Sequence, residues 1–431
     1  MDGWDKPGHD ETENGVAKVQ GMTPDQISAL DAQDPLRAKR AEFHIPEGLI
    51  YLDGNSLGPL PKAVPQRVCH AIEDEWGRRL IRGWNEAGWI DLPRKVGDKI
   101  ARLIGAAPGT VIAADSTSIN LLKALSAALE LRRERKIILS DAKNFPTDLY
   151  VAQGLVRGLA RGHELKLVEA SEIHDALDER VAVLMLTEAD YRTGQLYDMR
   201  ALTARAHKMG ALAIWDLCHS AGAFPVDVTG AGADFAVGCG YKYLNGGPGA
   251  PAFIYVAPQH ASAVSPFLAG WMGHEAPFDF DPFYRPGPGI DRMLVGTPAV
   301  LSLSALDAAL DVFADVDMRL VREKSIALGD LFIAEVEHQY AGADLKLASP
   351  RDGAKRGSQV SFHCAHGYEA MQALIAAGVI GDFRAPDIMR FGFTPLTLSY
   401  REVADAASIL VRVLSEGEWK KPQYAVRAKV T

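Results

Sequence analysis

The chain has little of what would mark a secreted, membrane-embedded or nucleic-acid-binding protein. Cysteine is scarce: Cys69, Cys218, Cys239 and Cys364 are the only four among 431 residues. They have no CxxC spacing and are too few for a disulfide framework in a chain this long, so reduced and mostly buried thiols are expected, with no metal. No run approaches the roughly 18 continuous apolar residues that a membrane helix needs. The first twenty residues, MDGWDKPGHDETENGVAKVQ, are polar and lack the apolar stretch of a secretory signal. They read as a disordered tail, and a cytoplasmic location is expected. A basic excess is missing too: 46 Lys and Arg stand against 55 Asp and Glu, a net charge of −9. An acidic balance repels phosphate backbones, which argues against a nucleic-acid partner and leaves only a locally basic pocket open. No internal repeat is present, and no GxGxxG follows a strand near the start of the α/β region, which speaks against a dinucleotide-binding dehydrogenase.

What remains is an ordinary globular composition, 48% hydrophobic and 23% charged. The length exceeds the single-core range of about 250–300 residues, so a large domain and a smaller one are expected. After a tail over 1–22, Thr-Pro-Asp at Thr23 opens a helix that runs to Arg40, and a second helical pattern spans Lys62 to Ile81. Apolar runs then alternate with helical stretches: KIILSD from Lys136, VAVLMLTEAD from Val181, ALAIWD from Ala211 and DFAVGCG from Asp234. Such runs predict buried strands of a mostly parallel sheet, with the ligand site beyond their carboxyl ends. Residues 278–298 are rich in Pro, Gly and aromatics and read as an exposed, ligand- or partner-facing segment before helices resume. The division expected is 23–60 and 306–431 for the small domain and 61–305 for the large, cofactor-binding one.

The chemistry concentrates in AIWDLCHSAG and, one strand later, GCGYKYLNGGPGAPAF. Asp216 ends an apolar strand, and Lys242 sits between a strand and a glycine-rich turn. A buried carboxylate keeps a pyridine nitrogen protonated so that the ring is an electron sink, while a lysine forms a Schiff base, so the pair suits pyridoxal 5′-phosphate. A surface lysine and a helix-capping aspartate are individually commoner; the pair together with His219 and the glycines outweighs that reading. In AADSTSINLLKAL, Thr117 and Ser118 stand at a helix start, where free N–H groups and hydroxyls hold a phosphate dianion or merely cap the helix.

The segments YLDGNSLG, NFPTDLY, MLTEADYRTG, WDLCHSAGAFPVD, GYKYLNGGPGAPAF, FLAGWMGH and IMRFGFTPL, in order from Tyr51 to Leu396, resemble those of the kynureninases. These are members of the fold type I, aminotransferase class V superfamily of pyridoxal-phosphate enzymes. The resemblance implies an aspartate-aminotransferase-like α/β large domain, a smaller α+β domain and a homodimer. The implied activity is hydrolytic cleavage of L-kynurenine to anthranilate and L-alanine, with 3-hydroxykynurenine as an alternative substrate. It makes Lys242 the Schiff-base lysine, Asp216 the partner of the pyridine nitrogen and His219 its neighbour at the cofactor. It makes Tyr241 a phosphate contact and proton relay, Phe145 a stacking ring, and Asp148 and Thr187 further cofactor contacts. Trp271 and Thr297 resemble residues that reach the phosphate from the neighbouring subunit. Arg390 in IMRFGF would clamp the substrate α-carboxylate in two parallel hydrogen bonds. Trp84 would line the aryl pocket; vertebrate-type enzymes resemble His and Asn at Trp84 and Thr297, so the departure here favours unhydroxylated kynurenine.

Two other readings compete. A cysteine desulfurase needs a mobile nucleophilic cysteine, whereas Cys218 and Cys239 follow or end apolar strands and Cys364 in SFHCAHG has no loop role. A cofactor-binding but inactive interaction protein is opposed by intact Lys242, Asp216 and Arg390.

Overall fold

Seven short apolar segments pair into the central sheet of the computed structural model, which describes residues 21–428. In chain order they are β1 (Val111–Ala113), β2 (Ile137–Asp141), β3 (Glu164–Val168), β4 (Val181–Thr187), β5 (Leu212–Asp216), β6 (Phe235–Gly238) and β7 (Phe253–Val256). Their spatial order is β1-β7-β6-β5-β4-β2-β3. Every residue of β1, β2 and β4 to β7 is buried, which is why β2, β4, β5 and β6 read as largely apolar runs; β3 is an exposed edge and lacks that signature. β7 alone among the described strands of this sheet runs against the others, pairing antiparallel with both β6 and β1. The segment before it, rich in Gly and Pro, forms no helix, and a parallel return needs a helical crossover.

A second, antiparallel sheet of four strands follows: β8 (Leu345–Leu347), β9 (Gln359–Cys364), β10 (Asp382–Arg384) and β11 (Ile388–Gly392), in the order β8-β9-β11-β10. Helices Met318–Gln339 and Tyr400–Ser415 pack together beside it around Phe332, whose ring lies 4.8 Å from that of Phe391 and 5.7 Å from Phe393. This is the α/β plus smaller α+β architecture that the sequence implies. Among the described residues no helix is long and apolar enough to cross a membrane.

Two helix expectations need correction. The helix begun at Thr23, with a capping box to Gln26, covers only Pro24–Gln33 and does not reach Arg40. Pro35 forces extended backbone on Asp34, which ends it, and a short 3-10 segment, Arg37–Glu42, takes over. The expected helix over 62–81 is regular only at Ala63–His70, continues as a π turn at Ala71–Trp76 and breaks before a 3-10 turn at Leu80–Arg82. Of the tail expected over 1–22, residues 1–20 lie outside the described ones; the Met22 N–H donates to Glu335 at 2.7 Å.

The amino-terminal segment serves both cores. Ile27 and Leu52 join the cluster around Phe332, whereas Leu36 and Phe43 join the large-sheet cluster. Between these contacts lies a buried ion pair, Asp34 with Lys324, at 2.7 Å, and the lysine also donates to the Pro395 carbonyl at 2.6 Å. Both partners are sealed from water, so removing one strands the other's charge. Asp34→Ala is expected to lower stability by about 3–5 kcal/mol, read from the urea unfolding midpoint, whereas exposed pairs should cost under about 1 kcal/mol.

Candidate active site at the carboxyl ends of the central strands

The loops leaving β1, β2, β4, β5 and β6 converge on one cavity of about 180 Å³. After β1, Asp115 adopts a left-handed conformation (φ 53°), held by the fully buried Lys123, whose Nζ reaches Asp115 at 2.8 Å. That turn sets Ser116 as the cap of helix Thr117–Leu131, its Oγ accepting from the Ile119 N–H, so Thr117 and Ser118 fall in the first helical turn. After β2, Asn144 accepts from the Phe145 N–H at 2.7 Å, and Pro146 opens helix Pro146–Leu159. The pre-set φ of proline suits a first helical position, and Asp148 follows in the first turn, pointing into the cavity. Thr187 closes β4 and Asp216 closes β5; the Cys218 N–H donates to Asp216 at 2.7 Å and fixes its carboxylate. After β6 come Tyr241 and Lys242. There the loop of YLDGNSLG presses in: the Gly58 N–H donates to the Tyr241 carbonyl at 2.8 Å, and a Cβ on Gly58 would meet the Lys242 carbonyl at 2.2 Å. Only glycine fits.

Of the residues expected at the cofactor, Thr117, Ser118, Phe145, Asp148, Thr187, Asp216, His219, Tyr241 and Lys242 all line this cavity. Lys242 Nζ lies 3.0 Å from His219 Nε2 and 5.9 Å from the centres of the Phe145 and Tyr241 rings. Burial, and then the lysine charge, hold the His219 pKa well below its ordinary value, so the imidazole is neutral and Nε2 accepts from Lys242 Nζ. Burial likewise raises the Tyr241 phenol, which stays protonated. Asp148 is fully buried, and burial followed by the neighbouring Asp216 carboxylate raises its pKa well above the usual carboxyl range. No donor reaches Asp148 Oδ2 apart from a proton shared with Asp216.

The other four expected residues are not brought to this cavity. Arg390 on β11 is buried one layer away: its Nη1 donates to the carbonyl of Tyr191, a cavity residue, at 2.6 Å. The fork expected to clamp a substrate is occupied, Nε donating to Asp382 at 2.6 Å and Nη2 to Asp382 and Ser56. Four of its five N–H donors are thereby engaged. Trp84 packs edge-on against Trp89, ring centres 6.3 Å apart. Trp271 packs edge-on against Phe278 and lines a surface groove with Phe280 and Tyr284. Thr297 lines a separate pocket with Asp115 and Gly249.

Sequence reasoning passed over Ser116, Tyr191, Gln359, Asp382 and the thiols of Cys218 and Cys239. Ser116 was available from the Asp-Ser-Thr-Ser run and Tyr191 from the aromatic beside Glu-Ala-Asp. Gln359 and Asp382 carry no local signal, since their roles arise where the second sheet meets the first: Gln359 donates to the Tyr191 carbonyl at 3.1 Å and hydrogen-bonds His219.

Comparison with known proteins decides between the readings. A family model described as the kynureninase C-terminal domain matches residues 321–410. The kynureninase of Burkholderia pseudomallei (strain 1106a) is 52% identical over 414 residues, covering 95% of this chain and all of that protein. The chain belongs to the kynureninase family.

Solved structures place the same fold more widely than that family. An apo cysteine desulfurase from Thermococcus onnurineus NA1 superposes with a TM-score of 0.73 at 18% identity, covering 92% of this chain and all of that one. The C-DES protein with glycine covalently linked to its pyridoxal-phosphate cofactor gives 0.74 at 16%, covering 86% and 98%. At such identity the likeness is one of fold, fold type I, and the kynureninase relatives carry the functional distinction from the desulfurases.

One titration follows from the site's floor. Glu188, next to Thr187, donates its N–H to the Asp216 carbonyl at 3.0 Å, and burial pushes its carboxyl up to about 7 against the pull of Ser220 and Arg322. Between the ordinary value near 4.5 and about 7 the folded state keeps a proton that the unfolded chain has lost, so stability falls as pH climbs through that window. Glu188→Gln is expected to gain ~1–3 kcal/mol at pH 8, with the gain shrinking towards pH 5, in urea denaturation at the two pH values.

Proposed function

We infer that this protein hydrolyses L-kynurenine to anthranilate and L-alanine with pyridoxal 5′-phosphate as cofactor. The observation that carries the reading is the cavity itself, in which Lys242, neutral His219 and the Asp148–Asp216 pair meet at the carboxyl ends of five strands in a chain of the kynureninase family.

The residues fit the cofactor. The proton that Asp148 and Asp216 would share is the one a pyridine nitrogen requires, and a buried carboxylate keeps it there. Lys242 would hold the aldehyde carbon, Phe145 and His219 would flank the ring, and Thr117 and Ser118 at the helix start would take the phosphate. When bound, the pyridinium ring supplies an electron sink for carbanions beside the substrate amine.

Lys242 is the base that removes the substrate α-proton, held by its hydrogen bond to His219. Tyr241, whose phenol burial keeps protonated, is suited to deliver a proton to the substrate Cβ as the bond to the carbonyl carbon breaks. Water adds to that carbonyl, leaving with the aryl half as anthranilate. Arg390 is assigned the α-carboxylate. It keeps one N–H free, and Arg384, 2.7 Å from the Asp382 Oδ2 that Arg390 Nη2 binds, can take over that oxygen when substrate arrives. Trp84 is assigned to the aryl end of the substrate.

Trp271 and Thr297 are assigned to the phosphate of a partner subunit. Supporting this are their absence from the lining of their own chain's cavity and an exposed aromatic surface beside Trp271, with Phe278 57%, Phe280 78% and Phe283 76% exposed. The small domain is read as 23–60 with 306–431, and a reducing cytoplasm suits four free thiols.

Incubating the cofactor-loaded protein with L-kynurenine should yield equimolar anthranilate, followed by fluorescence, and alanine, followed by mass spectrometry. Binding without either product would overturn the assignment. Lys242→Ala should abolish multiple turnover. Arg390→Lys should raise KM by about 10- to 100-fold with a smaller change in kcat, because a point charge cannot replace the planar fork.

A further inference from the structure

Two of the four thiols meet inside the active-site cavity. β5 and β6 pair in parallel with Asp216 opposite Val237, and the Leu217 N–H donates to the Val237 carbonyl at 2.7 Å. Carried two residues further, that register brings Cys218 beside Cys239. Both side chains line the cavity, and Cys239 Sγ lies 3.8 Å from the Cys218 carbonyl. Neighbouring strands run about 4.8 Å apart, inside the roughly 4.4–6.8 Å that a disulfide spans between Cα atoms. Cys69 is exposed elsewhere and Cys364 ends β9 in the second sheet, so neither competes.

The two sulfurs are unequal. The neighbouring Cys239 sulfur, towards which the Cys218 thiol donates, and burial raise Cys218, whereas that donor and the Lys242 charge lower Cys239 in spite of its burial. The thiolate is the nucleophilic form, which makes Cys239 the attacking sulfur and Cys218 the resolving one.

We propose that Cys218 and Cys239 are an oxidisable dithiol, a modification site for small hydroperoxides that closes to a disulfide and weakens the cavity's hold on pyridoxal phosphate. Cys239 sulfur attacks a peroxide oxygen; the O–O bond breaks, and the departing alkoxide or hydroxide takes the thiol proton. Cys218 sulfur then attacks the resulting sulfenic sulfur; the S–OH bond breaks, and hydroxide leaves as water with the Cys218 proton. Two thiols lose two electrons and two protons, and the peroxide is reduced to water and an alcohol or a second water. The effect on the site follows from its contacts. Cys218 Sγ lies 3.6 Å from Thr117 Oγ1 at the phosphate end, and the Cys218 N–H orients Asp216. Drawing that sulfur towards Cys239 displaces both. This consequence rests on the cofactor reading given above; the disulfide itself does not.

The test treats the full-length, cofactor-loaded protein with hydrogen peroxide, alkylates the remaining thiols and measures intact mass and peptide maps. Expected are the loss of two hydrogens, a Cys218–Cys239 linked peptide pair, and reversal by dithiothreitol. The same crosslink should form in the Cys69→Ser/Cys364→Ala background and vanish there on adding Cys218→Ala. The oxidised protein, stripped and titrated with pyridoxal phosphate by absorbance, should bind about tenfold more weakly than the reduced one. Cys218 and Cys239 both still open to alkylation, or oxygen added to one of these sulfurs in place of the crosslink, would overturn the proposal. A crosslinked protein with unchanged cofactor affinity would overturn its effect on the site. If the reduced protein takes up no pyridoxal phosphate, the cofactor reading fails, and the dithiol stands or falls on mass alone.

Discussion

Two carboxyl groups out of reach of water, Asp148 and Asp216, set the terms for the rest of the site. They arrive from different strands, one in the first turn of the helix after β2 and the other as the last residue of β5, and the parallel order of the sheet brings them together. Neither has a lysine or arginine as an ion-pair partner among the described residues. A pair of buried acids in this state holds a proton and favours any cation that can replace it. The neutral imidazole of His219 and the protonated phenol of Tyr241 are consequences of the same dryness acting on other groups. One region of low dielectric therefore sets the protonation state of Asp148, His219 and Tyr241 at once, which is a simpler arrangement than tuning each by a dedicated partner.

The second sheet touches this region through a backbone atom. The Tyr191 carbonyl accepts from both Arg390 and Gln359, so the loop after β4 is gripped from the other lobe. Asp382 sits behind that contact, shared between Arg390 and Arg384. A carboxylate divided between two guanidinium groups can release one and keep the other, so a competing anion need not leave a charge unpaired.

How much of this was legible in the sequence depends on how local each cause is. β2, β4, β5 and β6 announce themselves because a strand buried on both faces must be apolar throughout, whereas β3, at the edge, and the three-residue β1 give no such signal. The long helix from Thr23 was misread because apolar spacing continues past Gln33, while the constraint that ends it, Pro35 acting on Asp34, is a single residue. The nine residues expected at the cofactor line one cavity because each stands at the end of a strand or in the short stretch that follows one, where sequence position fixes place. Arg390 was read as a free clamp; that Asp382 occupies its fork depends on a neighbouring strand of the antiparallel sheet, which no local pattern discloses. Trp84, Trp271 and Thr297 lie outside the single-chain cavity, and nothing in their flanking residues distinguishes that from a place within it.

The small lobe is stitched from the two ends of the chain. Ile50 and Tyr51 pair in parallel with Val379 and Ile380, Arg40 meets Glu402, and Lys324 closes on Asp34. During synthesis the seven strands of the large sheet are complete by Val256, whereas Ile27, Ile50, Tyr51 and Leu52 lack their partners until the second sheet and its helices have been made. Contacts so distant in sequence close slowly, and the apolar side chains that await them, Ile27 and Leu52 among them, stay exposed meanwhile. The nascent chain therefore carries these apolar side chains uncovered while its large sheet is already complete, and that interval is when aggregation threatens it most.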